Sequence, residues 1–260
     1  MPTDTLTASK DLFLGAFQRS LRAENSSPKT VETYSEALTL LAGFLRGKGM
    51  PTNPANLTRE HVEEFISDLL QTRKPATASN RFKSLQRYFK WLTEEGEIKD
   101  NPMAHMHPPK LPENPPEVLS EEDLAKILKA CSGNTFEERR DTAIIRLLLD
   151  TGARRAELAA LTLDDLQLDQ QTLKVTGKGS RVRFLPYGRK AARDVDRYLR
   201  MRAQHREGAL PNLWLGRAGP MTGNGIYQVC RDRALQAGIG KVYAHLFRHT
   251  FAHMWLAQDG

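Results

Sequence analysis

Residues 101–118 have the sequence NPMAHMHPPKLPENPPEV, and this proline-rich stretch determines how the rest of the chain is organised. Proline removes a backbone hydrogen-bond donor and disfavours helix in the residue before it. Six prolines in eighteen residues therefore predict an extended, semi-rigid linker. We place the linker at residues 105–117, between a front domain of residues 1–104 and a back domain of residues 118–260, each of ordinary domain size.

The front domain has the pattern of packed helices. Ser27 and Pro28 supply an N-cap and a first-turn proline. Apolar residues then follow at helical spacing, namely Val31, Tyr34, Leu38, Leu41 and Leu45. Further helices are predicted over residues 9–22, after Thr58, and over residues 77–95. This domain shows no strand pattern, so we predict four or five packed helices.

The back domain begins with helices and then changes its period. Ser120 starts a segment close to a capping box, and a strongly apolar helix over residues 141–150 is followed by Gly152, which can end it. Apolar residues alternate on both sides of the glycine-rich residues 177–180, namely Leu173, Val175, Val182 and Phe184. This pattern predicts a β-hairpin, and helices resume near Arg189, Gly223 and His245. The predicted fold class is mainly α with a small antiparallel β-sheet.

Composition limits the classes of function. The chain has 260 residues and a formal net charge of +7 at pH 7, which favours an anionic partner, nucleic acid before membrane. No apolar run is long enough for a bilayer span, and the N-terminus lacks the layout of a secretory signal. Cys131 and Cys230 lie far apart, and we interpret them as reduced buried thiols. These features predict a cytoplasmic protein without a membrane partner.

Two segments concentrate basic residues. The segment TASNRFKSLQRYFK, residues 77–90, contains no acidic residue and carries Arg81, Lys83, Arg87 and Lys90 beside an apolar stripe. Such a helix face suits a phosphate backbone or a major groove, and a solvated charged face explains it equally well. The second segment runs from Lys178 to Arg206 and includes Arg181 and Arg183. Basic surfaces on two domains joined by a linker predict a clamp around a duplex.

The segment His245-Leu246-Phe247-Arg248-His249 places a histidine and an arginine on one helix face, three residues apart. With Arg154 from far upstream, that face can hold cationic or proton-transferring groups against a single oxyanion. Glu157 can hold the Arg154 guanidinium in place. Simpler interpretations are also open. Arg154 and Glu157 can form a surface ion pair, Lys178 can be a solvated turn lysine, and structural roles suit Arg155, Tyr243, His249 and His253.

Three segments, taken in order, resemble the signature boxes of the tyrosine recombinases, or phage-type integrases, of the XerC/XerD-like kind. They are residues 151–158 (TGARRAEL), 175–179 (VTGKG) and 245–252 (HLFRHTFA). The resemblance extends over the front helical domain and the linker, and so covers nearly the whole chain. It implies an N-terminal helical core-binding domain, a C-terminal catalytic domain and double-stranded DNA as the partner.

The resemblance implies site-specific DNA recombination through a 3′-phosphotyrosyl intermediate, with no metal or other cofactor. Arg154 and Arg248 would bind the non-bridging oxygens, where negative charge concentrates. Lys178 is the implied proton donor to the leaving 5′-oxygen, and His245 transfers a proton or binds the phosphate. Members of the family act as homotetramers on DNA in bacterial or phage systems, which implies association with the nucleoid.

One part of the family pattern is missing from these 260 residues. The family continues past the second arginine to a nucleophilic tyrosine and a helix that docks on a neighbouring subunit, whereas no tyrosine follows Arg248. Either the chain was cut here or the natural product is short. In both cases we expect this polypeptide to bind DNA without forming the covalent intermediate by itself, as a monomer or a weak oligomer.

Other classes of function fit parts of the same pattern. A non-catalytic regulator that occupies recombination sites would need the same DNA-binding surfaces. A metal hydrolase could use His245, His249 and His253 on one helix face, but Leu246 stands where a metalloprotease needs glutamate. A type IB topoisomerase shares the chemistry, although the short front domain favours the recombinase. We predict no metal site.

Overall fold

The computed structural model of the chain describes residues 12–112, 115–177, 181–240 and 242–259. The chain divides into two compact units, Met1–Asn114 and Pro115–Gly260. Within the described ranges, no helix has both the length and the apolar character needed to cross a membrane.

The first unit is built from helices, as predicted. They are α1 (Leu14–Ala23), α2 (Pro28–Gly47), α3 (Arg59–Thr72) and α4 (Pro75–Glu94), with a short 3-10 helix at Pro54–Asn56. Ser27 caps α2, because its Oγ accepts a hydrogen bond from the Thr30 amide at 3.1 Å. The prediction of a helix over residues 9–22 is wrong at Phe13, which has a left-handed φ of 48° and directly precedes α1. Residues 9–11 of that prediction lie outside the described residues.

The core of the first unit is partly aromatic. The Phe17 ring centroid lies 5.4 Å from that of Tyr88 and 5.2 Å from that of Trp91. The Tyr88 hydroxyl is buried and donates a hydrogen bond to the Leu12 carbonyl oxygen at 2.9 Å. The predicted apolar stripe of α4 is buried in the same core, namely Phe82, Leu85, Phe89 and Leu92. Lys83 and Lys90 of the same helix are exposed.

The second unit combines helices with small sheets. Its helices are α5 (Glu121–Ala130), α6 (Phe136–Thr151), α7 (Arg155–Ala159), α8 (Arg189–Arg202), α9 (Gly223–Gln236) and α10 (Ala244–Asp259). Ser120 caps α5 through a 3.1 Å hydrogen bond from the Asp123 amide to its Oγ, as predicted. Helix α6 begins five residues before the predicted start at residue 141, because Thr135 and Glu138 form a capping box there.

The hairpin prediction is confirmed. Strands β2 (Thr172–Thr176) and β3 (Val182–Pro186) pair antiparallel, with Val175 opposite Arg183, and β1 (Leu166–Gln167) joins the other edge of β2. Leu173 and Val175 are buried, whereas Val182 and Phe184 are 51% and 55% exposed, so the apolar side of β3 faces outward. A second sheet pairs β4 (Leu215–Gly216) with β5 (Gly219–Pro220). Alternation cannot predict strands of two residues.

Helix α6 positions the candidate site. It packs against α8 and α10. The residues of its apolar face are fully buried, namely Ile144, Ile145, Leu147 and Leu148. Gly152 ends α6 with a left-handed φ of 55°, as the sequence predicts. A Cβ atom at Gly152 would lie 2.4 Å from Cδ1 of Phe251 on α10. This close approach places α10 beside the start of α7, where Arg154 is the N-cap residue.

Candidate functional site

Arg248 on α10 reaches the end of α6. Leu246 and Phe247 are buried in the core of the second unit and so fix the first turns of α10. This orientation lets Arg248 Nη1 donate a hydrogen bond to the Gly152 carbonyl oxygen. Among the described residues the Arg248 guanidinium makes no other hydrogen bond, so its remaining N–H groups can serve a ligand.

Arg154 is anchored by Glu157. The Arg154 amide donates to Glu157 Oε2 at 2.9 Å, and Arg154 Nη1 donates to Glu157 Oε1 at 2.9 Å. The Arg154 side chain is nevertheless 57% exposed. The carboxylate therefore fixes one edge of the guanidinium and leaves the rest open to solvent.

Glu157 also accepts from Arg183 on β3. Arg183 Nη1 and Nη2 donate to the two Glu157 oxygens at 3.0 and 2.7 Å, while the Glu157 side chain is only 5% exposed. Burial alone would raise the pKa of Glu157, but the hydrogen bonds from Arg183 and Arg154 outweigh it and lower this pKa to about 2. The carboxylate is ionised at neutral pH, and one of the two guanidinium charges remains uncompensated.

His245 is the exposed imidazole of the site. It lies on α10 one turn before His249, with the ring centroids 4.3 Å apart and edge to face. Its pKa is lowered by desolvation, then by His249, and further by the positive charges of Arg248 and Arg154. The neutral imidazole is therefore favoured near neutral pH, and one ring nitrogen can accept a proton.

Arg154, His245 and Arg248 line one cleft of about 490 Å³. The rest of its wall comes from Ala153, Arg155, Ala156, Tyr227, Tyr243 and Ala244. Two guanidinium groups and an imidazole that line one cleft can bind the oxygens of a tetrahedral oxyanion. Three side chains from two distant segments of the chain thus meet at one place.

Two aromatic residues and a third arginine of this wall fall outside the predicted site. The Arg155 guanidinium carbon lies 5.9 Å from the Tyr227 ring centroid, within cation–π range. Tyr243, interpreted from the sequence as structural, is 37% exposed and borders the cleft. No sequence motif points to Tyr227, because α9 carries no recognisable box.

The hairpin carries the remaining predicted site residues, Lys178, Arg181 and Arg183. Lys178 lies outside the described residues. Its neighbour Gly177 donates an amide hydrogen bond to the Arg181 carbonyl oxygen at 2.8 Å, which closes the hairpin below the tip. Arg181 is exposed and forms no ion pair with any described residue.

The basic face of α4 differs from the prediction. Residues 77–90 contain no acidic residue, but carboxylates from elsewhere in the first unit neutralise part of this face. Arg81 Nη2 donates to Glu36 at 2.6 Å, and Arg87 Nη2 donates to Glu24. Lys90 lies 3.6 Å from Glu94, beyond the end of the acid-free segment. Lys83 alone of the four has no ion pair with a described residue.

The second basic segment also contains structural arginines. Arg202 is 3% exposed and donates to the carbonyl oxygens of Gly208, Leu210, Asn212 and Leu213. It therefore cannot belong to a basic surface, which corrects that part of the prediction. Arg183 points its guanidinium at Glu157 rather than only at solvent. Within the part of the chain that the structure describes, no three His, Cys, Asp or Glu side chains are arranged to hold a metal ion.

Comparisons with protein families cover most of the chain. The phage integrase family model matches residues 117–260, and the model of the phage integrase N-terminal SAM-like domain matches residues 13–97. Tyrosine recombinase XerC of Chromobacterium violaceum is 30% identical over 246 residues, covering 94% of this chain and 81% of that protein. Tyrosine recombinase XerD of Listeria monocytogenes is 30% identical over 233 residues, covering 87% and 78%.

Solved structures share the fold. The XerH site-specific recombinase bound to a palindromic difH substrate has a TM-score of 0.75 at 20% identity, covering 91% of this chain and 71% of that chain. A lambda integrase dimer bound to a COC′ core site has a TM-score of 0.72 at 17% identity, covering 94% and 89%. The matched family models and the identity with the XerC relative together show that this chain belongs to the phage integrase family, the tyrosine recombinases.

Proposed function

We propose that this chain is the DNA-binding and phosphate-activating part of a site-specific DNA recombinase, which breaks and rejoins DNA strands. The observation that carries the proposal is the single cleft lined by Arg154, His245 and Arg248. The relatives named as recombinases and the structural neighbours bound to DNA support double-stranded DNA as the partner. A DNA substrate also implies a cytoplasmic, nucleoid-associated protein.

In this proposal the two arginines stabilise the transition state. Charge develops on the non-bridging oxygens of the attacked phosphodiester, and guanidinium groups held in advance stabilise it without reorganisation. The hydrogen bonds that Arg248 donates to the Gly152 carbonyl oxygen and that Arg154 donates to Glu157 supply that advance positioning. An arginine placed on a transferring phosphoryl group is worth roughly 10³–10⁵ in rate in other enzymes.

Proton transfer is assigned to His245 and Lys178. The lowered pKa of His245 favours the neutral ring, which can take a proton from an attacking hydroxyl. Lys178 is the proposed donor to the leaving 5′-oxygen. In the sequence it directly follows Gly177, the last described residue before the gap between β2 and β3.

In the family pattern the nucleophilic tyrosine comes after the second arginine, and no tyrosine follows Arg248 in these 260 residues. We therefore propose that no tyrosine among residues 1–260 is the attacking nucleophile. An adduct on Tyr227 or Tyr243, the two tyrosines that line the cleft, would contradict this assignment.

The test has two stages. Selection on random duplex DNA first identifies a preferred site, and equal binding to all sequences would contradict a site-specific recombinase. A fusion that adds the family's tyrosine segment is then tested for covalent trapping on a suicide substrate of that site. We expect Arg154→Ala to slow cleavage by roughly 10³-fold or more, and Arg200→Ala, which removes a surface arginine paired with Asp196, to leave it nearly unchanged.

A further inference from the structure

A second group of arginines surrounds a small cavity of about 200 Å³ in the Pro115–Gly260 unit. None of its lining residues belongs to the Arg154 cleft. Helix α6 contributes Arg139 and Arg146, and α8 contributes Arg193, Asp194 and Arg197. We call this feature the arginine cavity.

The charges of the arginine cavity are not balanced. Asp194 is the one carboxylate in its lining among the residues that the structure describes. Its side chain is 7% exposed, and its Oδ2 accepts from Arg146 Nε at 3.3 Å. Arg193 and Arg197 each lie 3.7 Å from Asp194 Oδ1, which is too far for a hydrogen bond. Four guanidinium groups facing one carboxylate leave three positive charges uncompensated.

A neighbouring carboxylate does not remove this excess. The Glu138 carboxylate lies close to Gly133, which lines the cavity. A Cβ atom added at Gly133 would be only 1.9 Å from Glu138 Oε2. That oxygen already accepts hydrogen bonds from the Thr135 amide at 3.0 Å and the Thr135 hydroxyl at 2.8 Å. Even with Glu138 included, the positive charges outnumber the negative ones.

Arg139 supplies an independent observation. Its Nε atom is buried and has no hydrogen-bond partner among the described residues, while its Nη2 donates to Asn134 Oδ1 at 3.2 Å. A buried donor without an acceptor loses its hydration and gains nothing in return. The Arg139 guanidinium therefore has capacity for an acceptor that the described residues do not provide.

We propose that the arginine cavity binds a phosphate-class oxyanion, at a site separate from the Arg154 cleft. Guanidinium forks match the oxygens of a tetrahedral anion, and the surplus positive charge favours a phosphate group over a neutral ligand. The source of the phosphate group is either free inorganic phosphate or the backbone of bound DNA. The proposal does not depend on the recombinase activity, because its residues take no part in the Arg154 cleft.

The test is a titration of the ¹⁵N-labelled chain with inorganic phosphate at constant ionic strength, followed by amide shifts. We expect saturable shifts at Ser132, Gly133 and Thr142, which line the cavity. Arg139→Met and Arg193→Met should abolish these shifts. Arg200→Met, on the same helix as Arg193 but outside the cavity, should retain them. The spectra themselves report whether each variant is folded.

Variants of the other site keep the two proposals distinguishable. Arg154→Ala should remove phosphate-dependent shifts near Gly152 and preserve those at Ser132 and Gly133. Asp194→Asn should tighten phosphate binding, a gain that misfolding cannot produce, and weaker binding would contradict the charge argument. The proposal is overturned if the cavity amides show no saturable shift, or if they still shift in Arg139→Met and Arg193→Met.

A parallel titration with a short duplex separates the two sources of phosphate. Shifts of the same amides by DNA, with a salt slope reduced by about 1 in Arg193→Met, would assign the site to a backbone phosphate. Shifts by inorganic phosphate alone would assign it to a free oxyanion. Either result supports an oxyanion site.

Discussion

Arg183 holds both carboxylate oxygens of Glu157, at 3.0 and 2.7 Å, and so joins the β-hairpin to the helix start that carries Arg154. The same carboxylate accepts from the Arg154 side chain and its amide. The buried Glu157 carboxylate thus connects the hairpin strand β3 and the start of α7 to Arg154, the arginine proposed to bind the phosphate.

Replacing Arg183 tests this connection. We expect Arg183→Met to lower the free energy of unfolding by about 1–3 kcal/mol, because it leaves a buried carboxylate with fewer donors. Arg181→Met, an exposed change on the same hairpin, should cost no more than about 0.5 kcal/mol. Urea denaturation measures both. Equal effects of the two variants would contradict a specific role for Arg183. Arg183→Lys should rescue little, since lysine cannot bind both oxygens in parallel.

The lowered pKa of Glu157 predicts a pH dependence of stability. The pKa is about 2 in the folded chain against an ordinary value of 4.5. The stabilising contribution is therefore complete above the unfolded pKa and is lost as the pH falls from about 4.5 towards about 2. In Glu157→Gln the fall in unfolding free energy over this window should be smaller than in the wild type. Identical acid profiles for the two proteins would show that Glu157 does not titrate as described.

Gly152 should resist substitution for two reasons that can be separated. Gly152→Ala meets both a left-handed backbone, at φ 55°, and the Phe251 ring, at 2.4 Å. Gly238→Ala meets only a left-handed backbone, at φ 72°, with no atom within 4 Å of the added Cβ. We expect about 1–2 kcal/mol of destabilisation for Gly238→Ala and clearly more for Gly152→Ala. Equal thermal stability of the two variants would contradict the close contact with Phe251.

The imidazole of His245 reports on the arginines around it. Its NMR titration midpoint should lie below the ordinary value of 6.5. Arg154→Ala should move the midpoint up towards 6.5, because it removes a positive charge that disfavours the imidazolium. The recovery should be partial, since desolvation and His249 contribute more than Arg154. No movement in Arg154→Ala would place the two groups too far apart to share one phosphate.

Helix α4 offers a matched pair for DNA binding. Lys83 is exposed without an ion pair among the described residues, whereas Arg87 is already paired with Glu24. Lys83→Ala should reduce the slope of log affinity against log salt by about 0.9. Arg87→Ala should reduce it less, because Glu24 already compensates its charge. A slope that is unchanged in Lys83→Ala would remove α4 from the DNA interface.

Much of the fold was predictable because its signals are local. Ser27 and Ser120 cap the helices that they precede in the sequence, and Gly152 adopts the left-handed conformation expected of a residue that ends a helix. The hairpin followed from alternation over five-residue strands. The start of α6 was missed because residues 136–140, FEERR, carry charge rather than an apolar period, and the capping box at Thr135 decides it.

The features that the sequence analysis did not predict depend on contacts between residues far apart in the chain. The acids that pair with Arg81 and Arg87 come from positions 45 and 63 residues away, so a window of sequence around α4 cannot show them. Arg202 looks like its basic neighbours in the sequence, but the 208–213 loop surrounds it with carbonyl oxygens. Tyr227 reaches the cleft only because α9 packs beside α7.

The hydrogen bond from Arg248 to the Gly152 carbonyl has a stereochemical consequence. With one N–H committed to the backbone, the guanidinium plane is fixed, and Arg154 is fixed in a similar way by Glu157. The two non-bridging oxygens of a DNA phosphodiester occupy different positions relative to the flanking sugars, so a pair of immobilised guanidinium forks would contact each of them differently. A sulfur atom in place of one oxygen should therefore weaken binding by different amounts in the two diastereomers of a phosphorothioate. The chain would then be stereoselective at a single phosphorus atom.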